Sequence, residues 1–274
     1  MTLLASWIGI DTHGPTSAYI VSESRFTWNN GSALFDYGKK VFASRSYPEI
    51  FGYAGDVLFP SIVLSQILEM IDSGLIFDKN MSCDQKNKIV YEKLCYSFSK
   101  YPDVYGNNPI QIIHISRDTC FKGYPSFHHY LMTWSRTSGG KHIEYPIPGK
   151  SGLVHVLGSG SNEFNKNYYG RYQLSKNRST SRNVFHCFID TLKNITDKHC
   201  GGAPQLVGIY RKPCTFGCEY GIIYNRKRYF LGMEIPKDAS FAKVEWRNGF
   251  FELCDGEKRK KFDNAAKQND PLRR

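Results

Sequence analysis

The chain has no CxxC pair, no linker, no internal repeat, and no apolar run near the ~20 residues that a membrane-spanning helix needs. Each absence excludes something. Its eight cysteines are scattered at 83, 95, 120, 187, 200, 214, 218 and 254, and the single C-x3-C of Cys214 and Cys218 has no histidine pair nearby. That spacing argues against a zinc or disulfide framework, so reduced thiols in a cytoplasmic chain are expected, with no metal and no cofactor. Acidic residues are fewer than basic ones, 25 against 36, which leaves a net charge of +11. The excess is spread out. Its one dense cluster is GEKRKK at 256–261, followed by a polar tail ending PLRR. Without a zinc knuckle, an RNP-like strand or a recognition helix beside it, nucleic acid is not an expected partner, and a basic binding module remains only an alternative. The opening MTLLASWIGID lacks the basic lead of a signal peptide and is closed by Asp11, so it reads as a first strand.

What remains is a globular composition, 41% hydrophobic and 15% aromatic, in 274 residues. LLASWIGID and AYIVSES read as strands around a Gly-Pro turn, and KKVFAS and EIFGYAG as two more beyond the polar stretch TWNNGSALFDYG. From Asp56 to Ile71 the apolar spacing changes to three and four, which predicts a helix; CDQKNKIVYEKLCYSFSKY, from 83, predicts a second with charged and apolar sides. Four strands follow (IQIIHIS, FHHYLMTWS, HIEYPI, LVHVLGSG), then two helices, the second running to Gly201–Gly202, and the strands PQLVGIYRK and EYGIIYNRKRYFLG. KVEWR and GFFEL suggest a further hairpin. Strands grouped in this way predict an α+β fold of two mostly antiparallel sheets stacked face to face with helices outside, not a doubly wound sheet. One domain over 1–235 is expected, with an extension over 236–274 that ends in a flexible basic tail.

The first two residues raise a chemical question. Thr2 is small enough for Met1 to be trimmed, which would leave an α-amine and a hydroxyl on one residue. An amine titrating near pH ~8 can take the proton of a hydroxyl beside it, so such a residue can be its own base.

Four blocks later in the chain, in order, resemble the β subunits of proteasomes and their simpler bacterial peptidase relatives. They are Glu23-Ser24-Arg25-Phe26-Thr27, GKKVFASRSYPEIFGYAGD, Gly158-Ser159-Gly160, and DKHCGGAPQLVGIY. The resemblance runs from Thr2 to about Leu231. It implies the four-layer αββα sandwich of the N-terminal nucleophile hydrolases and a threonine-type peptidase. It makes Thr2 the nucleophile, Glu23 the partner of a lysine, Gly55 the oxyanion donor, and Ser159 and Asp197 the residues that hold the terminal amine. The tripeptide Lys39-Lys40-Val41 makes Lys40 the catalytic lysine, while the count from Glu23 favours Lys39; neighbours on a strand face opposite ways, so only one points inward. Glu23 stands where the family has Asp, and Cys200, before Gly201, where it has Ser. The family's first specificity pocket corresponds to Phe26, Gly38, Phe42, Tyr53 and Val57. A peptide or unfolded-protein substrate, a homo-oligomeric ring and a partner ATPase of unknown identity are what the resemblance brings with it; no membrane is expected. The alternative is a non-catalytic subunit of the same fold.

Overall fold

A computed structural model describes residues 2–102, 109–118, 124–135, 137–211 and 216–266. In chain order the elements are β1 (Leu4–Asp11), β2 (Gly14–Ser22), β3 (Phe26–Trp28), β4 (Ala33–Phe35), β5 (Val41–Ala43), β6 (Glu49–Ala54), α1 (Leu58–Asp72) and α2 (Cys83–Lys100). Then come β7 (Ile110–Arg117), β8 (Phe127–Ser135), β9 (Gly139–Tyr145), β10 (Gly152–Leu157), α3 (Ser161–Gly170) and α4 (Ser181–Asn194). The chain continues with β11 (Gln205–Tyr210), β12 (Cys218–Tyr224), β13 (Lys227–Phe230), β14 (Met233–Glu234), β15 (Glu245–Asn248), β16 (Leu253–Asp255) and β17 (Lys260–Lys261).

Strand alternation builds the layers. Leu3, Ala5 and Trp7 join a buried cluster with Phe164 and Tyr168 of α3 and Val184, Phe185 and Phe188 of α4. Leu4 and Ile8 face the other way and pack on Val41, Ile50, Ile113 and Ile115 of a second sheet. The far face of that sheet, with Phe51, Tyr53 and Ile112, packs on Phe59, Leu64, Ile67, Val90 and Leu94 of α1 and α2. Period-two burial on both faces therefore yields helix, sheet, sheet, helix. The fold is the four-layer αββα sandwich. The first sheet runs β10-β1-β2-β11-β12-β15-β16-β17, with β13 and β14 branching from β12; the second runs β5-β6-β7-β8-β9 and is antiparallel throughout. The segment after Pro236 extends the first sheet, because β15 pairs in parallel with β12.

Two local differences from the sequence reading have clear causes. The polar stretch after Glu23 contains the β3–β4 hairpin, turned by Asn29, Asn30 and Gly31 at positive φ. Its strands are three residues long and mostly exposed, so no burial period marks them. The last helix ends at Asn194, not at Gly201–Gly202, because Ile195 is already extended. Thr196 then binds Glu163 through its N–H and its hydroxyl. The freed residues 195–200 form a loop that returns Asp197 and Cys200 toward the start of the chain.

Candidate active site

Thr2 precedes β1, Glu23 follows β2, and Lys40 leads into β5, so the three meet where ends of both sheets converge. All three are buried: Thr2 is 1% exposed, and Glu23 and Lys40 are fully enclosed. Lys40 Nζ donates to Thr2 Oγ1 at 3.1 Å and also to Glu23 Oε1. The other carboxylate oxygen of Glu23 accepts from the backbone N–H of Arg25 (2.6 Å) and of Gly201 (3.2 Å). Burial raises the Glu23 carboxyl above its ordinary value, and the charge and hydrogen bond of Lys40 with these two N–H groups pull it back. A cation held against a hydroxyl favours the alkoxide that forms if the hydroxyl loses its proton.

On the other side of Thr2, its backbone nitrogen donates to Ser159 Oγ at 3.3 Å, and Gly160 N–H donates to Thr2 O at 3.1 Å. Ser159 Oγ lies 3.8 Å from Cys200 Sγ, which donates to Asp197 Oδ2 at 3.5 Å. Burial alone would raise the Asp197 carboxyl. Hydrogen bonds from Ser159, the His199 N–H and Cys200 outweigh it and leave Asp197 below the usual carboxylate value. Cys200 is pushed up to about 12, first by burial and then by the charges of Glu23 and Asp197, so it is a neutral thiol.

Of the two adjacent lysines, Lys39 points elsewhere: its Nζ pairs with Glu219 at 3.2 Å and lies 4.8 Å from the Phe42 ring centroid. Gly55 adopts φ +104, and a side chain there would place Cβ 1.9 Å from the Pro109 carbonyl oxygen, so the turn itself demands glycine. The residues matching a first specificity pocket do not line an open pocket together. Phe42 and Tyr53 are core residues beneath α1 and α2, and the Tyr53 hydroxyl is tied to Lys39 O at 3.1 Å. Phe26 lies with its ring centroid 5.6 Å from Lys40 Nζ. Gly38 makes that possible, since a Cβ there would stand 2.3 Å from the Phe26 ring. Val57 is half-buried at the start of α1. Beyond Phe26 the same face of the hairpin carries the half-exposed rings of Trp28, Phe35 and Tyr37 in a chain of ring contacts.

Two sets of positioning residues were not found by sequence reasoning. Gln205, the first residue of β11, accepts from Lys40 N–H at 2.9 Å and donates to Glu23 O at 3.0 Å and Gly38 O at 2.8 Å. One amide thus ties the peptide planes of the ion pair together. Arg25 forks onto both oxygens of Asp36 and also donates to Lys198 O and Cys200 O, which fixes the loop carrying Asp197. A glutamine opening an otherwise apolar strand, PQLVGIY, was the available signal for the first; for the second, the acceptors Lys198 O and Cys200 O lie 173 and 175 positions along the chain and leave no local mark.

No family model and no curated protein matches the chain. Solved structures do. An Anbu (Gly-1) mutant from Hyphomicrobium sp. strain MC1 shares 12% identity over 85% of this chain and 87% of that one, with a TM-score of 0.51. Anbu (ancestral beta-subunit) from Yersinia bercovieri shares 10% over 85% and 88%, also with a TM-score of 0.51. At such identity the likeness is one of fold: the sandwich is proteasome-like.

Proposed function

We propose that this chain is a threonine-type N-terminal nucleophile hydrolase that cleaves peptide bonds through Thr2 once Met1 is removed. The observation that supports it is the 3.1 Å contact of Lys40 Nζ with Thr2 Oγ1, backed by a buried Glu23. In this reading Thr2 Oγ attacks the substrate carbonyl while its proton passes to the α-amine of the same residue. Lys40 stabilises the developing alkoxide, and a backbone N–H at Gly55 takes the tetrahedral oxyanion. The amine returns the proton to the leaving nitrogen as the C–N bond breaks, and water hydrolyses the ester left on Thr2. Ser159 and Asp197 hold the amine. Phe26, Gly38 and Val57 border the place where the substrate side chain enters, and Phe42 and Tyr53 support it from the core beneath α1 and α2. Six described cysteines are free thiols, which suits a cytoplasmic protein, and assembly into a homo-oligomer is part of the proposal.

A second reading, a non-catalytic subunit, is favoured by the closed state of the site: Phe26 covers Lys40, and Thr2 is almost fully buried. One experiment separates the two. The purified chain is weighed intact, treated with a threonine-directed epoxyketone, and compared with Thr2→Ala. The hydrolase reading expects loss of Met1 and one adduct on Thr2 in the wild type alone. Retained Met1, labelling of both proteins, or labelling of neither overturns it.

A further inference from the structure

Far from Thr2 in sequence, three polar side chains from three elements converge over the start of α2. Asp84 stands in the first turn of that helix, His128 on β8 and Glu144 on β9. One donor atom from each lies within 4.8 Å of the others. His128 Nδ1 and Glu144 Oε1 are 2.7 Å apart, a hydrogen bond that a metal ion would replace. Tyr130 sits beneath them. It pairs with Glu144 across the two strands, its ring stacks on His128 with centroids 6.1 Å apart, and its hydroxyl donates to Asp84 Oδ1 at 2.6 Å.

The geometry points to a site for a borderline divalent cation of the zinc class, held by Asp84, His128 and Glu144, with Tyr130 as the outer residue that orients one carboxylate. One imidazole and two carboxylates are a common donor set for such ions, and a hydrogen bond from outside the set is how ligating carboxylates are usually aimed. Bond lengths near ~2.0–2.2 Å need donors roughly 3.3 Å apart, a modest adjustment for His128 and Glu144, which are 27% and 47% exposed. Water completes the coordination. The ion would tie the N-terminal end of α2 to the β8–β9 edge of the second sheet. Cysteine spacing is blind to this arrangement, since none of its donors is a thiol and they stand at 84, 128 and 144.

The test uses the full chain stripped with a chelator and then given Zn2+, Co2+, Mg2+ or Ca2+. Expected are one Zn2+ per chain, visible absorption on Co2+ addition, and an unfolding midpoint higher by roughly 4–10 °C at a hundredfold excess over Kd. His128→Gln should abolish the shift and the Co2+ band while leaving the metal-free midpoint nearly unchanged. Tyr130→Phe should weaken binding about tenfold or more, as loss of an outer partner does. No shift in the wild type, an equal shift in His128→Gln, or an equal response to Mg2+ and Ca2+ overturns the proposal.

Discussion

Lys40–Glu23 and Lys86–Glu49 are both ion pairs enclosed by protein, one beside the start of the chain and one between α2 and the second sheet. Their surroundings differ. Glu49 Oε1 accepts from Lys86 Nζ and Ser116 Oγ, each at 2.9 Å, and Oε2 meets His114 Nε2 at 2.8 Å. The other ring nitrogen of His114 meets Asn87 Nδ2 at 3.0 Å, and the rings of Tyr47 and Phe77 lie over the Lys86 ammonium. That pair joins a helix to a sheet and has its partners all round. Lys40, in contrast, spends one donor on the hydroxyl of a residue at the chain end, with a serine and a glycine turn on its far side. A buried Lys–Glu pair is therefore no signature of chemistry by itself; what sets Lys40 apart is that a hydroxyl, Thr2 Oγ1, accepts from the lysine, whereas Ser116 Oγ donates to the carboxylate of the other pair.

The same substitution at the two lysines gives the largest contrast. Removing one partner of a buried pair strands the other charge and costs about 3–5 kcal/mol. Lys40→Met and Lys86→Met should both lose stability on this scale in urea titrations, with Lys86→Met toward the lower end because His114 still faces Glu49. The split appears in labelling. Per folded molecule, epoxyketone labelling should fall at least ~100-fold in Lys40→Met, as for loss of one group that stabilises charge in the transition state, and stay near wild type in Lys86→Met. Equal labelling losses would erase the distinction.

Lys86 also marks the limit of what the letters reveal. In CDQKNKIVYEKLCYSFSKY it reads as part of a charged helix face, and its acceptor, Glu49, is 37 positions away, so nothing local signals burial. The layers were legible because they rest on local alternation: Leu3, Ala5 and Trp7 against Leu4 and Ile8 is a pattern within six residues. The group of residues that meets around Thr2, the candidate site, was legible as an order of residue types. Its clamps were not, because Gln205 reaches Lys40 across 165 positions and Arg25 reaches Cys200 across 175. At Phe42 and Tyr53 the resemblance suggests a pocket lining, and nothing in the letters told that both rings pack into the core beneath α1 and α2.

A pH titration asks whether the two regions fall together. His129 on β8 lies fully buried between the sheets, bonded to Ser6 Oγ of β1 at 2.8 Å. Burial, helped by His155, pushes its imidazole down to about 3. Between its ordinary value near 6.5 and that figure, the unfolded chain takes up a proton that the folded chain refuses. Stability should thus be intact above about pH 6.5 and fall by roughly 1.4 kcal/mol per unit below it. His129→Gln should flatten that slope. Because the group joins the two sheets, labelling at Thr2 and the folded-state fluorescence of Trp134 should decline at the same pH. Separate midpoints would mean that the two ion pairs belong to independently melting regions.

The smallest expected effect tests how far the Thr2 side of the comparison depends on refined geometry. Cys200 stands between Ser159 and Asp197 with contacts of 3.8 and 3.5 Å, long for hydrogen bonds except that sulfur is large. Cys200→Ser puts a stronger donor on a shorter bond in the same place, and the loop that carries it is already held by Arg25 through Lys198 O and Cys200 O. The gain is then limited to exchanging a weak thiol donor for a hydroxyl donor on the same carboxylate, about 1 kcal/mol or less, and labelling should rise by no more than about fivefold. If labelling rose a hundredfold, the thiol would be holding the site in a misaligned state, and the contrast between the two ion pairs would lie in residue 200 more than in the hydroxyl of Thr2.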